Sequence, residues 1–242
     1  SLDNNTTASS NTAVGYRALR EATTEGSLTA VGYDAATNNT TGSGTVALGY
    51  DALTTNTTGD YNTALGMYAL RYNLTGAHNT ATGYKALTAN TTGSYNTATG
   101  YFTLTANTTG EYNTAAGYYS LDANTTGSHN TGYGYSTLIS NTTGAGNTAT
   151  GWRSLRANTT GTYNNASGYQ SLTSNTVGNY NTGSGYRALY GTTTGDRNTA
   201  MGGNAGDVIT TGGNNVMLGW GTDPSAADGN GQIVIGYTAT GH

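Results

Sequence analysis

Fourteen glycines lie on one 17-residue spacing without an insertion or deletion: Gly15, Gly32, Gly49, Gly66, Gly83, Gly100, Gly117, Gly134, Gly151, Gly168, Gly185, Gly202, Gly219 and Gly236. An unbroken short period over a whole chain predicts a solenoid, in which each repeat forms one coil stacked on the last. A coil of this length is too short for two helices and a turn. It fits short strands joined by tight bends. The expected fold is therefore all-β: a parallel β-solenoid, or β-roll, of about fourteen 17-residue coils, with residues 1–242 forming one repeat domain. Residues 203–242 diverge from the other coils and are more apolar, with Val216-Met217-Leu218 and Ile233-Val234-Ile235.

With the ruler glycine as position 0, a typical coil begins Asn96-Thr97-Ala98-Thr99-Gly100-Tyr101 and continues through Leu104 to Asn107-Thr108-Thr109-Gly110. Position −2 is nearly always Ala, and position +4 is Leu in ten coils, from Leu19 to Leu189. β-favouring Thr, Val and Tyr predict a first strand over about −4 to +1, and a second is expected over +2 to +5. The Asn-Thr-Thr-Gly segment reads as the turn, since Asn and Gly tolerate left-handed backbone. Ala at −2 and Leu at +4 are assigned to the interior. So thin a core gives little hydrophobic stabilisation per coil. The rest is expected from the backbone ladder and from stacked Asn at −4 and +7 and Tyr at +1, repeating every 4.8 Å or so.

Composition removes several classes. Glycine is 38 of 242 residues but without a three-residue period or more than one proline (Pro224), which excludes collagen. Only 8% of residues are charged, which fits neither a charge-rich disordered tail nor a coiled coil. A net charge of −4 with eight scattered Lys and Arg argues against a nucleic-acid partner. No apolar run approaches the length of a membrane span. The absence of cysteine fits an exported protein and a cytosolic one alike. A start at Ser1, with no initiator Met or signal peptide, reads as a processed or excised segment.

Position +1 is aromatic in twelve of fourteen coils, Met67 and Gly203 being the exceptions. Tyr16, Tyr33, Tyr50, Tyr84, Tyr101, Tyr118, Tyr135, Trp152, Tyr169 and Tyr186 form a candidate interface or ligand ladder. Position −1 shares that face and is aliphatic towards both ends, as Val14, Val31, Leu48 and Leu65 and again as Met201, Leu218 and Ile235. Between them it becomes Thr82, Thr99, Thr150, Ser167 and Ser184. A lateral partner along this face is one reading. Rings packed down on their own coil are the other.

Asn11-Thr12-Ala13-Val14-Gly15-Tyr16 and Gln232-Ile233-Val234-Ile235-Gly236-Tyr237 resemble the Ser-Val-Ala-Ile-Gly type repeats in the heads of trimeric autotransporter adhesins. The whole Asn-Thr-Ala-x-Gly-Tyr-x-Ala-Leu-x-x-Asn-Thr-Thr-Gly unit is similar to repeats of bacteriophage tail-fibre-like and surface proteins. The resemblance covers essentially all of residues 1–242. It implies a parallel β-roll, often in a trimer, used as a fibre shaft or an adhesive head.

Few residues suggest chemistry. Asp34 and Asp51 occupy +2 in adjacent coils, where stacking sets their Cα atoms roughly 5 Å apart, near the carboxylate separation in a retaining glycosidase. Position +2 is also the most varied and reads as solvated, without the cleft such a pair needs. His78 and His129 share position −5 but lie too many coils apart for one metal. Asp228-Gly229-Asn230-Gly231 reads as a Gly-rich turn rather than a calcium loop. Asn39, Asn56, Asn73, Asn90, Asn107, Asn124, Asn141 and Asn158 match the N-glycosylation pattern, although Asn and Thr are also turn residues. No cofactor, metal or catalytic site is expected.

The expected function is a non-enzymatic structural subunit of an extracellular fibre or filament, on a cell or virion surface. Its partners are copies of itself, joined laterally or head to tail; the apolar last coils and the mid-coil entry and exit of the chain suggest the latter. The alternatives are an adhesin contacting surface carbohydrate and an ice-binding solenoid carrying Thr80/Thr82, Thr97/Thr99 and Thr148/Thr150.

Overall fold

The computed structural model describes residues 2, 4, 6–24 and 26–241, which form strands and turns and no helix. They fall into two compact units, Ser1–Thr126 and Gly127–His242. The first unit contains β1 (Thr12–Val14), β2 (Thr29–Val31), β3 (Val46–Leu48), β4 (Thr63–Leu65), β5 (Thr80–Thr82), β6 (Thr97–Tyr101) and β7 (Thr114–Tyr118). The second contains β8 (Thr131–Tyr135), β9 (Thr148–Thr150), β10 (Asn165–Ser167), β11 (Thr182–Ser184), β12 (Thr199–Met201), β13 (Val216–Leu218) and β14 (Ile233–Ile235). Within each unit every strand pairs in parallel with the next in the chain, one 17-residue period on: Ala64 faces Ala81 in the first unit and Ala149 faces Ala166 in the second. Each unit is thus a β-solenoid of stacked coils, as the glycine period requires.

Among the described residues the expected second strand at +2 to +5 is not present; each ruler glycine follows or lies in a single short strand, and a tight corner comes next. The ruler glycine opens that corner with a φ between 120° and 153°. A side chain on Gly83 would overlap the carbonyl of Gly100, so the position is closed to other residues by packing as well as by conformation. Positions +2 and +4 are then left-handed too, for example Lys85 at φ 57° and Leu87 at φ 52°. The turned backbone keeps its ladder. The N–H groups of Gly83 and Lys85 donate back to Leu65 and Met67 carbonyls (2.7 and 3.0 Å), and those of Leu87 and Ala89 donate forward to Thr103 and Thr105 (3.0 and 3.0 Å). A strand would carry the chain straight on. Left-handed residues at alternate positions bend it while still aiming its polar groups at the coils on either side.

Ten leucines at +4 adopt φ values of 49–54° and are fully buried. A left-handed conformation costs an L-residue about 1–2 kcal/mol, and burying a leucine returns about 1.5–3 kcal/mol, so each leucine's burial offsets its own left-handed backbone. Ala at −2 is buried as expected, and the small residues at +3, such as Ala86, Thr103 and Ser154, are buried beside it. The rest of the interior is polar. Asn96 at −4 and Asn107 at +7 have no exposed surface, like their equivalents in most coils. In the divergent coils Ile209 takes the +7 position, and Met217 and Val234 replace Ala at −2.

The two asparagines of one coil converge on a single acceptor. Asn96 and Asn107 both donate Nδ2–H to the Gly110 carbonyl, at 2.8 and 3.0 Å. Each also donates along the stack, Asn96 to Asn79 Oδ1 (3.2 Å) and Asn107 to Asn90 Oδ1 (2.8 Å). The Asn96 backbone N–H reaches the same Asn79 oxygen at 3.0 Å. The threonine that follows most +7 asparagines adds a rung, as when Thr108 Oγ1 donates to the Thr125 carbonyl at 3.1 Å; Leu74 takes its place after Asn73. The glycine at +10 is required by close approach: a side chain on Gly93 would overlap the Gly110 carbonyl oxygen and lie 2.6 Å from Asn90 Oδ1. The Asn-Thr-Thr-Gly segment is therefore a buried clip between coils as well as a turn.

Candidate functional site

Strand side chains alternate, so −2 points inward while −3, −1 and +1 form the outer face. Register then sets each +1 ring one strand spacing from the next. In the first unit Tyr16, Tyr33 and Tyr50 stack with centroids 5.0 and 5.1 Å apart, and Tyr84, Tyr101 and Tyr118 stack at 5.3 and 5.0 Å. Met67 interrupts the column. There Tyr68, from +2, stands edge-on to Tyr50 at 5.7 Å and to Tyr84 at 6.1 Å. In the second unit Tyr135, Trp152, Tyr169 and Tyr186 stack at 6.1, 4.7 and 5.3 Å. Gly203 takes the next place, and the Trp220 ring fills the space its side chain would need. Arg153 lies 4.1 Å from the Trp152 ring, and Lys85 lies 5.4 Å from Tyr84.

All ten predicted ladder residues thus fall into such columns. The rings pack on one another, and all but Tyr84 and Trp152 also remain exposed, Tyr101 at 41%. Ring faces inside a column are occupied by neighbouring rings. Solvent meets edges and hydroxyls, a pattern suited to hydrogen bonding rather than to face-on stacking of a ligand. The hydroxyl of Tyr50 is harder to ionise than usual, chiefly because of the neighbouring Asp51 charge and secondarily because of burial.

A second aromatic column runs along position −5 and was not anticipated. In the first unit Tyr61, His78, Tyr95 and Tyr112 stack at 5.1, 4.9 and 4.9 Å. In the second, Tyr163 stacks on Tyr180 at 5.2 Å, with the Arg197 guanidinium 5.9 Å from the Tyr180 ring. These residues are left-handed as well, Tyr61 to Tyr112 having φ of 54–60°. The signal was present as a recurrence of Tyr and His five residues before the ruler glycine, but it is diluted by Gly44, Gly146, Ser10 and Ser27 at the same position.

The +2 row is not the freely solvated face expected from its variety. Asp51 is buried and pairs with Arg71 at 3.0 Å, while Asp34 pairs with Arg17 at 3.3 Å. Burial raises the Asp51 carboxyl above its usual range, and Arg71 opposes the rise. Each carboxylate of the pair compared with a glycosidase dyad therefore has its own arginine.

The eight asparagines of the glycosylation pattern all lie inside the coil. Asn39, Asn56, Asn73, Asn90, Asn107, Asn124, Asn141 and Asn158 have no exposed surface, and an amide such as Asn73 Nδ2 is engaged by Asn56 Oδ1 (2.7 Å) and the Gly76 carbonyl (2.8 Å). The folded coil has no room for a glycan on these nitrogens. His78 lies within the −5 column. In the Asp228–Gly231 turn, Asn230 Nδ2 donates to the Asp228 carbonyl at 2.9 Å and its Oδ1 accepts from the Gly213 N–H at 2.7 Å. Thr97/Thr99 and Thr148/Thr150 are exposed and Thr80/Thr82 half-buried, with Tyr101 rising on the same face as Thr99.

Comparison of the chain with protein-family models, curated proteins and solved structures found no match.

Proposed function

We propose that this chain is a non-enzymatic structural module of an extracellular fibre or filament, built to repeat one coil. The observation that carries this reading is the way the coils are joined. Within each unit a coil is tied to the next by backbone bonds through strand and corner, and in most coils by two buried asparagine columns that add side-chain bonds. Specific residues are devoted to continuity: the ruler glycine, the +10 glycine and both asparagines serve contact between coils. The resemblance to adhesin heads and tail-fibre-like repeats agrees with it. Electron microscopy of the purified full chain at rising concentration tests it. Filaments of uniform width are the expected result. Dispersed particles that release sugars from a surface polysaccharide would contradict it.

A second reading, adhesion to surface carbohydrate, draws support from the exposed edges of the aromatic columns. It predicts glycan-array binding that disappears when Tyr84 and Tyr101 are changed to alanine.

A further inference from the structure

Within the first unit the outer face changes character along the stack. Position −1 pairs in register from Val31 to Leu48, Leu65, Thr82 and Thr99. Strands β5 and β6 form with threonine there, so the coil does not need an aliphatic side chain at this position. Yet β1 to β4 carry Val14, Val31, Leu48 and Leu65. Val31 and Leu48 are each 38% exposed, and they lie beside the exposed Tyr33, Tyr50 and Met67. Apolar side chains that the fold can replace with threonine, and that stay in contact with water, call for a partner.

We propose that the outer face of β1 to β4 joins two copies of this chain in an isologous contact, row against row. The fibre reading underlies this only in making the chain its own partner. Three observations select a second copy. The apolar surface is on the order of 500 Å², taking about 200 Å² for a large side chain; with the flanking Thr29, Val46 and Thr63 it approaches the roughly 800 Å² that each partner contributes to a stable pair. Positions −3, −1 and +1 of these four coils carry no charged residue, so nothing on the face selects a charged partner. Its side chains stand in rows at strand spacing, and a second copy presents rows of the same spacing for interdigitation. A contact of one patch with itself closes at two copies.

Sedimentation of the full chain over the micromolar range tests the proposal, with the V31T/L48T double variant beside it. Those substitutions install the residue that β5 and β6 already carry, and circular dichroism and the melting transition verify that the fold is retained. The wild type is expected to dimerise, and the double variant to dimerise at least tenfold more weakly, as for loss of apolar contacts at the centre of an interface. An M201T/L218T variant in the second unit is expected to dimerise like the wild type. A monomeric wild type, a trimer, a V31T/L48T protein that dimerises as tightly as the wild type, or loss of the dimer through M201T/L218T would overturn the proposal. So would a monomer that sediments with phosphatidylcholine vesicles, which would assign the face to lipid. Dimers without filaments at any concentration would defeat the fibre reading and leave this contact standing.

Discussion

Two kinds of column run through the same coils of the first unit, and they tolerate change differently. At +7 the buried column opens on Ala22 in the first coil and then reads Asn39, Asn56, Asn73, Asn90, Asn107 and Asn124 without a further substitution. At +1 the exposed column over the same coils is broken by Met67, and at −5 it passes from Ser27 and Gly44 to Tyr61, His78, Tyr95 and Tyr112. The difference follows from what each column must do. A buried amide must donate to the carbonyl of its own clip and to the amide below, and accept from the amide above. Aspartate has no donor for that task, and serine has one where two are needed. An aromatic column asks only for a surface to lie against, and Met67 or Gly203 leaves a gap that Tyr68 or Trp220 partly fills.

Substitutions in the two columns should differ in their cost. The largest effect is expected at the clip itself. Gly93→Ala forces a side chain into the Gly110 carbonyl and the asparagine column, neither of which can move without shifting the backbone. Destabilisation of about 4 kcal/mol or more is expected in denaturant titration. Asn107→Leu comes next. It keeps side-chain size but deprives Asn90 Oδ1 of a donor and Asn124 Nδ2 of an acceptor. Buried groups left unpaired in this way cost about 3 kcal/mol together. Tyr101→Leu places the same residue in the exposed column and removes stacking on Tyr84 and Tyr118, for a loss of about 1 kcal/mol. Equal losses for the two leucine variants would erase the distinction between the columns.

The smallest effect concerns Asp122, whose carboxyl is raised above its usual range by burial, with the Thr105 side chain pulling it part of the way back. A carboxyl raised by folding binds its proton more tightly in the native state. Its contribution is fully present below the unfolded value, near pH 4, and is lost as pH rises through the folded one. Asp122→Asn should therefore raise the melting temperature slightly at neutral pH, with the gain vanishing on acidification below about pH 4. A gain that persists in acid would locate the effect elsewhere.

What the sequence made legible was whatever depends on period alone. The glycine spacing specifies coils, parallel strands and register, and with them the stacked Tyr column at +1 and the inward Ala and Leu. The sign of φ was not legible. Arg, Asp, Tyr, Lys and Leu at +2 and +4 do not advertise left-handed backbone, so a corner was read as a strand. Nor does turn propensity say which side of the chain meets water. Asn-Thr-Thr-Gly is the composition of an exposed turn, and only the convergence of Asn96 and Asn107 on Gly110 shows that it faces inward. The −5 column stayed hidden because its rings recur in some coils and give way to small residues in others.

The asparagine amides are internal rungs of the stack. Hydrogen exchange of the side-chain Nδ2 protons, followed by NMR, tests this most directly. Protons of Asn96 and Asn107 are expected to exchange as slowly as the backbone ladder beside them, because they open only when the coils separate. Those of the exposed Asn214 are expected to exchange at once. Rapid exchange at Asn96 and Asn107, with the backbone still protected, would contradict the account.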